Sequence, residues 1–113
     1  MKKILNNPND YVDEMLAGFV AAHPQYYQLY GETGKVVARA SKARDGKVGI
    51  VTGGGSGHLP VFTGYVGEGL LDACAIGDVF ASPSAEQMAD AIRAADQGAG
   101  VLRRRRDEFR HGR

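Results

Sequence analysis

Apolar positions recur along this chain in two registers, one helical and one extended, and their order sets the expected elements. Val12, Met15, Leu16, Phe19 and Val20 fall three and four residues apart, on one face of an amphipathic helix. Asn7-Pro8 supplies its start: a capping side chain, then a proline whose missing N–H costs nothing in a first turn, with Asp10 suited to the positive end of the helix. His23-Pro24 ends it, because the residue before a proline avoids the α region. Residues 25–34, rich in tyrosine (Tyr26, Tyr27, Tyr30), are expected to be irregular, 35–39 a short strand and 42–46 a polar turn. The compact apolar run 48–51 reads as a buried strand. A short helix is expected to open at Leu59-Pro60, continue over 61–65 and close at Gly67-Glu68-Gly69. Residues 71–79 form another strand. Ser82-Pro83 opens a helix whose inner stripe is Met88, Ala91, Ile92 and Ala95, lasting to about Asp96. After Gln97-Gly98-Ala99-Gly100, Val101-Leu102 begins a third apolar run.

Strands alternating with helices predict an α/β fold: a partial parallel sheet with alternating helices and right-handed crossovers. In open sheets of this kind ligands bind outside the carboxyl ends of the strands, which is where residues 53–58 fall. Gly53-Gly54-Gly55-Ser56-Gly57-His58 puts four glycines in five positions directly after the 48–51 run. Glycine tolerates positive φ and close backbone approach, and amides gathered in such a loop make a concave donor site, stronger where a helix begins beyond it. The common phosphate and nucleophile loops do not fit. A dinucleotide fingerprint and a nucleophile elbow would each need glycine where His58 stands, and no lysine follows Lys47 to complete a P-loop. A glycine cluster alone is also compatible with a tight turn that binds nothing. His58 favours a site, since an imidazole exchanges protons near neutral pH.

Composition narrows the setting. At 113 residues with 43% hydrophobic residues, the chain is one domain at most, with enough apolar mass for a core. One cysteine, Cys74, excludes an internal disulfide and reads as a small core residue. No run has signal-peptide or membrane-span length, so a cytoplasmic chain without a membrane partner is expected. The net charge of +1 hides an asymmetry: residues 103–113 carry six arginines against Asp107 and Glu108, while residues 1–102 are net acidic. His23 reads as a helix-end residue, and the tyrosines as loop packing rather than a binding surface.

Thr52-Gly53-Gly54-Gly55-Ser56-Gly57-His58, with Pro60 two residues on, resembles the signature of the dihydroxyacetone kinase family in its substrate-binding (DhaK-type) subunit. Met1-Lys2-Lys3-Ile4-Leu5-Asn6, Leu16-Ala17-Gly18 and Ala22-His23-Pro24 resemble the start of that family. Gly64-Tyr65-Val66-Gly67, Gly69-Leu70-Leu71, Val79-Phe80-Ala81-Ser82-Pro83 and Gly98-Ala99-Gly100-Val101-Leu102 continue the likeness in order. It covers residues 1 to about 102 and then stops.

The resemblance implies phosphoryl transfer to a hydroxyl of a short ketose, dihydroxyacetone or a relative such as erythrulose. It implies substrate contacts at Gly55, Ser56 and Gly57, and at His58, which would also be the base that takes the proton from the attacking hydroxyl. No cofactor is expected on this chain. Nucleotide and magnesium would sit on a separate donor (DhaL-type) subunit or domain, and the full-length form would be a homodimer. The lysine and aspartate of the family's substrate-binding loop fall by offset on Arg106 and His111, which do not match, and its covalent histidine anchor lies beyond residue 113. A fragment inactive alone is therefore expected.

The arginine run breaks the pattern. Four consecutive guanidinium groups, Arg103-Arg104-Arg105-Arg106, do not enter a core without anions. Residues 1–102 are expected to be the amino-terminal part of the substrate-binding domain, and 103–113 a basic tail foreign to the fold, arising from an altered reading frame or an appended sequence. A non-catalytic ketose-binding or regulatory module is a second reading. A nucleic-acid role for the arginines is a third, weak because no aromatic residues interleave with them.

Overall fold

The structure, a computed structural model, describes residues 3–41, 45–58 and 62–104, and of His58 the backbone only. The chain runs through a helix α1 (Tyr11–Ala22), strands β1 (Tyr27–Tyr30), β2 (Val36–Arg39), β3 (Gly49–Gly55) and β4 (Ala73–Gly77), a helix α2 (Ala85–Ala95) and a last strand β5 (Val101–Arg103). The strands form one sheet in the order β1-β2-β4-β3-β5. β4, β3 and β5 pair in parallel, as the alternation of elements predicts, and β1 and β2 add an antiparallel edge to them.

That antiparallel pair departs from the irregular segment expected over residues 25–34. Tyr27 is the residue of β1 that turns partly inward, the other three being exposed, and tyrosine suits a pleated, half-buried surface. Gly31 and Gly34 take positive φ and turn the chain back into β2. Tyr27 packs on Phe19 of α1, ring centroids 4.8 Å apart, and His23 stands edge-on to both rings, consistent with a helix-end role.

Side chains alternate across the sheet, so the two faces carry separate cores. On one face Val12 and Leu16 of α1 pack with Val37, Cys74, Ile76, Phe62 and Val66. On the other, Ala91 and Ala95 of α2 cover Val36, Ala38, Val51, Ala73 and Ala75. The small residues of the second core let α2 lie close to the sheet. Burial of this apolar surface, worth about 25 cal/mol per Å², holds both layers in place. Cys74 is fully buried, as expected of a core residue, and burial pushes its thiol up to about 12.

Local signals explain most boundaries. Asn7 Oδ1 accepts from the Asn9 N–H at 3.0 Å and caps a 3-10 turn, Pro8–Asp10, that leads into α1. The cap of α2 is Ser84, two residues after the expected Ser82. Ser84 has Gln87 three positions on, so a reciprocal pair of hydrogen bonds closes (3.1 and 2.7 Å), whereas Ser82 has Ala85 there. β4 is shorter than the expected 71–79: Asp72 still bonds through its backbone to Ile50 and Arg39 of the flanking strands, while past Gly77 the Asp78 carbonyl accepts the Ala81 N–H and the chain turns. The expected helix over 61–65 is a single 3-10 turn, Thr63–Tyr65. Its proposed start at Leu59-Pro60-Val61 lies outside the described residues, as does most of the expected turn at 42–46.

β5 reaches past the expected boundary at residue 102. Arg103 pairs with Val51, the Arg104 N–H donates to the Val51 carbonyl at 2.8 Å, and the Thr52 hydroxyl donates to the Arg104 carbonyl at 3.0 Å. Backbone pairing at a sheet edge asks nothing of the side chain, so these two arginines join the strand with their guanidinium groups in solvent. Arg105, Arg106 and the residues after them lie outside the described residues.

Candidate functional site

β3 and β4 end side by side, Gly55 opposite Gly77, at the carboxyl edge of the parallel strands. Of the glycines expected to form a sharply turning loop, Gly53, Gly54 and Gly55 are instead the last residues of β3, and none of these or Gly57 has positive φ. Their use is space. A Cβ on Gly54 would overlap the Phe62 ring, and one on Gly55 would sit 2.9 Å from the Ala81 carbonyl oxygen. The missing side chains allow the strand to pass between the Phe62 layer and the segment leading into α2.

Ser56, Gly57 and His58 follow as a 3-10 turn at the strand end. The Ser56 N–H donates to the Asp78 carbonyl at 3.2 Å, and the Ala81 N–H donates to the same oxygen at 3.1 Å. The Ser56 amide is thus committed to the fold rather than free in an open cradle. Its side chain is different: Ser56 Oγ is buried and has no hydrogen-bond partner among the described residues. Buried hydroxyls are nearly always paired, and leaving one unpaired costs on the order of 1–3 kcal/mol.

Ser56 and Gly57 line a cavity of about 430 Å³ whose other walls are Leu5, Pro8, Tyr11 and Val79. Small-molecule sites commonly combine such apolar walls with a few placed polar groups. Of the expected site residues the structure therefore brings Gly55, Ser56 and Gly57 to one strand end, and places the His58 backbone directly after them. The side chain of His58, on which the proton-transfer role rests, lies outside the described residues.

Two contributors were not read from the sequence. The segment before α1 supplies one wall through Leu5, Pro8 and Tyr11, a long-range contact with no local signature. Phe80, almost fully exposed, holds φ at +60° with its ring beside Gly57. A bulky residue in that conformation is strained by about 1–3 kcal/mol and marks a constrained rim. A larger groove of about 1000 Å³ lies along Ile50, Thr52, Phe62, Leu71 and Leu102, and none of residues 53–58 lines it. No group of three His, Cys, Asp or Glu side chains gathers as a metal site among the described residues, and no described helix is long and apolar enough to cross a membrane.

A glycine-ended parallel strand, a buried hydroxyl with no partner among the described residues and a small cavity thus meet at the carboxyl edge of the sheet in an α/β domain. The family profile described as the Dak1 domain matches residues 17–104, and the chain belongs to that family. It is 52% identical over 102 residues to the dihydroxyacetone-binding subunit DhaK of a PTS-dependent dihydroxyacetone kinase 1 from Listeria innocua, covering 90% of this chain and 30% of that protein. It is 48% identical over 102 residues to a D-erythrulose kinase from Mycolicibacterium smegmatis, covering 90% of this chain and 17% of that protein. Among solved structures, the dihydroxyacetone kinase from C. freundii in complex with AMP-PNP and Mg2+ superposes with a TM-score of 0.79 at 32% identity, covering 90% of this chain and 19% of that one. The chain thus spans less than a third of the length of these relatives.

Proposed function

We propose that this chain is the amino-terminal part of a ketose kinase substrate subunit, and that its strand-end site holds dihydroxyacetone or a similarly short ketose. The observation that carries the reading is the buried Ser56 hydroxyl without a described partner, beside a cavity at the carboxyl end of β3. A polyhydroxylated ketose offers both donors and acceptors to such a hydroxyl, and its few carbons suit the apolar walls. Gly55, Ser56 and Gly57 shape the contact surface, and His58 accepts the proton of the attacking hydroxyl as its oxygen bonds to phosphorus and the donor's leaving group departs. Nucleotide and magnesium, or another phosphoryl donor, belong in this reading to a separate DhaL-type subunit or domain. The full-length protein is a cytoplasmic homodimer, and the fragment alone does not turn over.

The likeness to dihydroxyacetone-binding and erythrulose-acting relatives supports the ketose class and leaves the choice of ketose to measurement. The test joins residues 1–104 to the remainder of the Listeria relative and supplies that relative's donor partner. The reading expects phosphorylation of dihydroxyacetone or erythrulose dependent on the donor. A folded chimera that binds neither ketose would overturn it, and ketose binding with no turnover would favour a non-catalytic, regulatory module.

A further inference from the structure

Two of the cavity's walls come from parts of the chain remote in sequence, and one lysine pairs with a carboxylate beside each. Lys35 stands immediately before β2, and its carbonyl accepts the Ile76 N–H of β4 at 2.8 Å, which fixes its backbone against the end of that strand. Its ammonium lies 3.4 Å from the Asp78 carboxylate and 3.8 Å from the Asp13 carboxylate. The Lys35 side chain is about one-fifth exposed, so it spans the gap between these groups instead of extending into solvent. Asp78 is the residue whose carbonyl accepts the Ser56 N–H, and Val79, a wall of the cavity, follows it. Asp13 is on α1, two residues after the opposite wall residue Tyr11.

We propose that Lys35 is a positioning residue for the ketose site, holding the Ser56 turn and the α1 wall at a fixed separation through its two carboxylate partners. The inference rests on the ketose reading for its ligand, but not for its geometry. Both carboxylates are largely exposed, so each pairing is weak alone and open to screening by salt. Their combined effect is local order at Ser56 rather than global stability. Lys35 is not among the residues that line the cavity.

The experiment is residue-resolved amide hydrogen exchange on the 113-residue chain, with and without dihydroxyacetone. In Lys35→Met the Ser56 amide should exchange roughly two- to fivefold faster, the scale of an exposed ion-pair network, while the α2 amides stay unchanged. Lys35→Arg should restore wild-type exchange, and 0.5 M salt should move wild type toward Lys35→Met. Asp13→Asn, which leaves the Asp78 pairing intact, should give a smaller increase. Dihydroxyacetone should protect the Ser56 amide in wild type and protect it less in Lys35→Met. An unchanged Ser56 amide in Lys35→Met, or an equal rise across α2, would overturn the positioning role. If the ketose protects no form of the chain, the ketose reading is decided by the chimera, which carries the remainder of the subunit, while the unliganded comparison still decides the role of Lys35.

Discussion

The two ends of the central strands are built by opposite rules. At the amino end of β3 and β4, Asp72 is buried and fully engaged: Lys47 Nζ lies 2.6 Å from its carboxylate, an Arg39 guanidinium nitrogen 3.1 Å, and the Ile50 N–H donates to it at 2.9 Å. At the carboxyl end, Ser56 is just as enclosed, yet its hydroxyl has no described partner. One end closes β2, β3 and β4 into a clasp, and the other has a buried hydroxyl beside a cavity with no partner among the described residues. Burial of a polar group is costly in both places, and among the described residues only the first end shows the hydrogen bonds that offset it. The difference teaches where to expect stability and where to expect a ligand.

The largest effect that would sharpen this contrast is catalytic. In the chimera with the Listeria remainder and donor, His58→Ala should lower turnover by roughly a hundredfold or more, the usual scale of general acid–base catalysis, with ketose binding weakened far less. His58→Asn keeps a hydrogen-bonding side chain without basicity and should be as slow. Near-normal turnover in His58→Asn would reduce the histidine to a positioning group.

The clasp end should instead respond in stability. Asp72→Asn leaves Lys47 and Arg39 without their carboxylate and should cost about 2–3 kcal/mol in urea unfolding, at the low end for a broken buried pair because Lys47 is partly exposed. Burial alone would raise the Asp72 carboxyl, but hydrogen bonds from Lys47, the Ile50 N–H and Arg39 outweigh it and hold it below its ordinary 3.8. The folded form therefore binds its proton less readily than the unfolded chain. The contribution of Asp72 is present above about pH 4 and is lost as pH falls through the folded value. Unfolding measured at pH 5 and pH 3 should show this loss in wild type and a flatter profile in Asp72→Asn. A decline of equal steepness in both would remove Asp72 as its source.

Ser56→Ala reverses the sign. Removing an unpaired buried hydroxyl should leave the unliganded chain as stable or about 1 kcal/mol more stable, while weakening ketose binding in the chimera. If the variant loses stability instead, the hydroxyl has a structural partner and the two ends of the strands are not so different.

How much of this was legible beforehand follows the range of the interactions. Helix α1, the buried run into β3 and the stripe of α2 were read from spacing, and the glycine cluster from its place after a strand, whereas Gly55, Ser56 and Gly57 as contacts came only from the family resemblance. β1 was missed because its tyrosines look like loop residues until β2 is seen to pair with them. The glycines were read as turn formers, yet their purpose is clearance from Phe62 and Ala81, groups remote from β3 in sequence. Asp72 carried no signal at all, since its partners Arg39 and Lys47 lie 33 and 25 residues away. Composition makes the arginine run look foreign as a unit, but a strand edge accepts residues through their backbone, so its first members belong to the sheet.

The smallest expected effect tests that last point. Chains ending at residue 104 and at residue 102 differ only by Arg103 and Arg104, whose side chains are exposed. If the arginines are foreign to the fold, as their charge suggests, the two chains should be equally stable. The structure argues otherwise: ending at residue 102 leaves the buried Val51 without its bond from the Arg104 N–H, and the buried Thr52 hydroxyl without the Arg104 carbonyl. Loss of both partners at an edge that water can reach should cost about 1 kcal/mol, below the full cost of two orphaned buried groups. Urea unfolding of the two chains side by side checks it, with the midpoint shifting and the slope held. Arg103→Gln and Arg104→Gln in the longer chain should change nothing, because the backbone carries the contribution. A loss from those substitutions without one from the truncation would show that the guanidinium groups, not the strand, hold this edge.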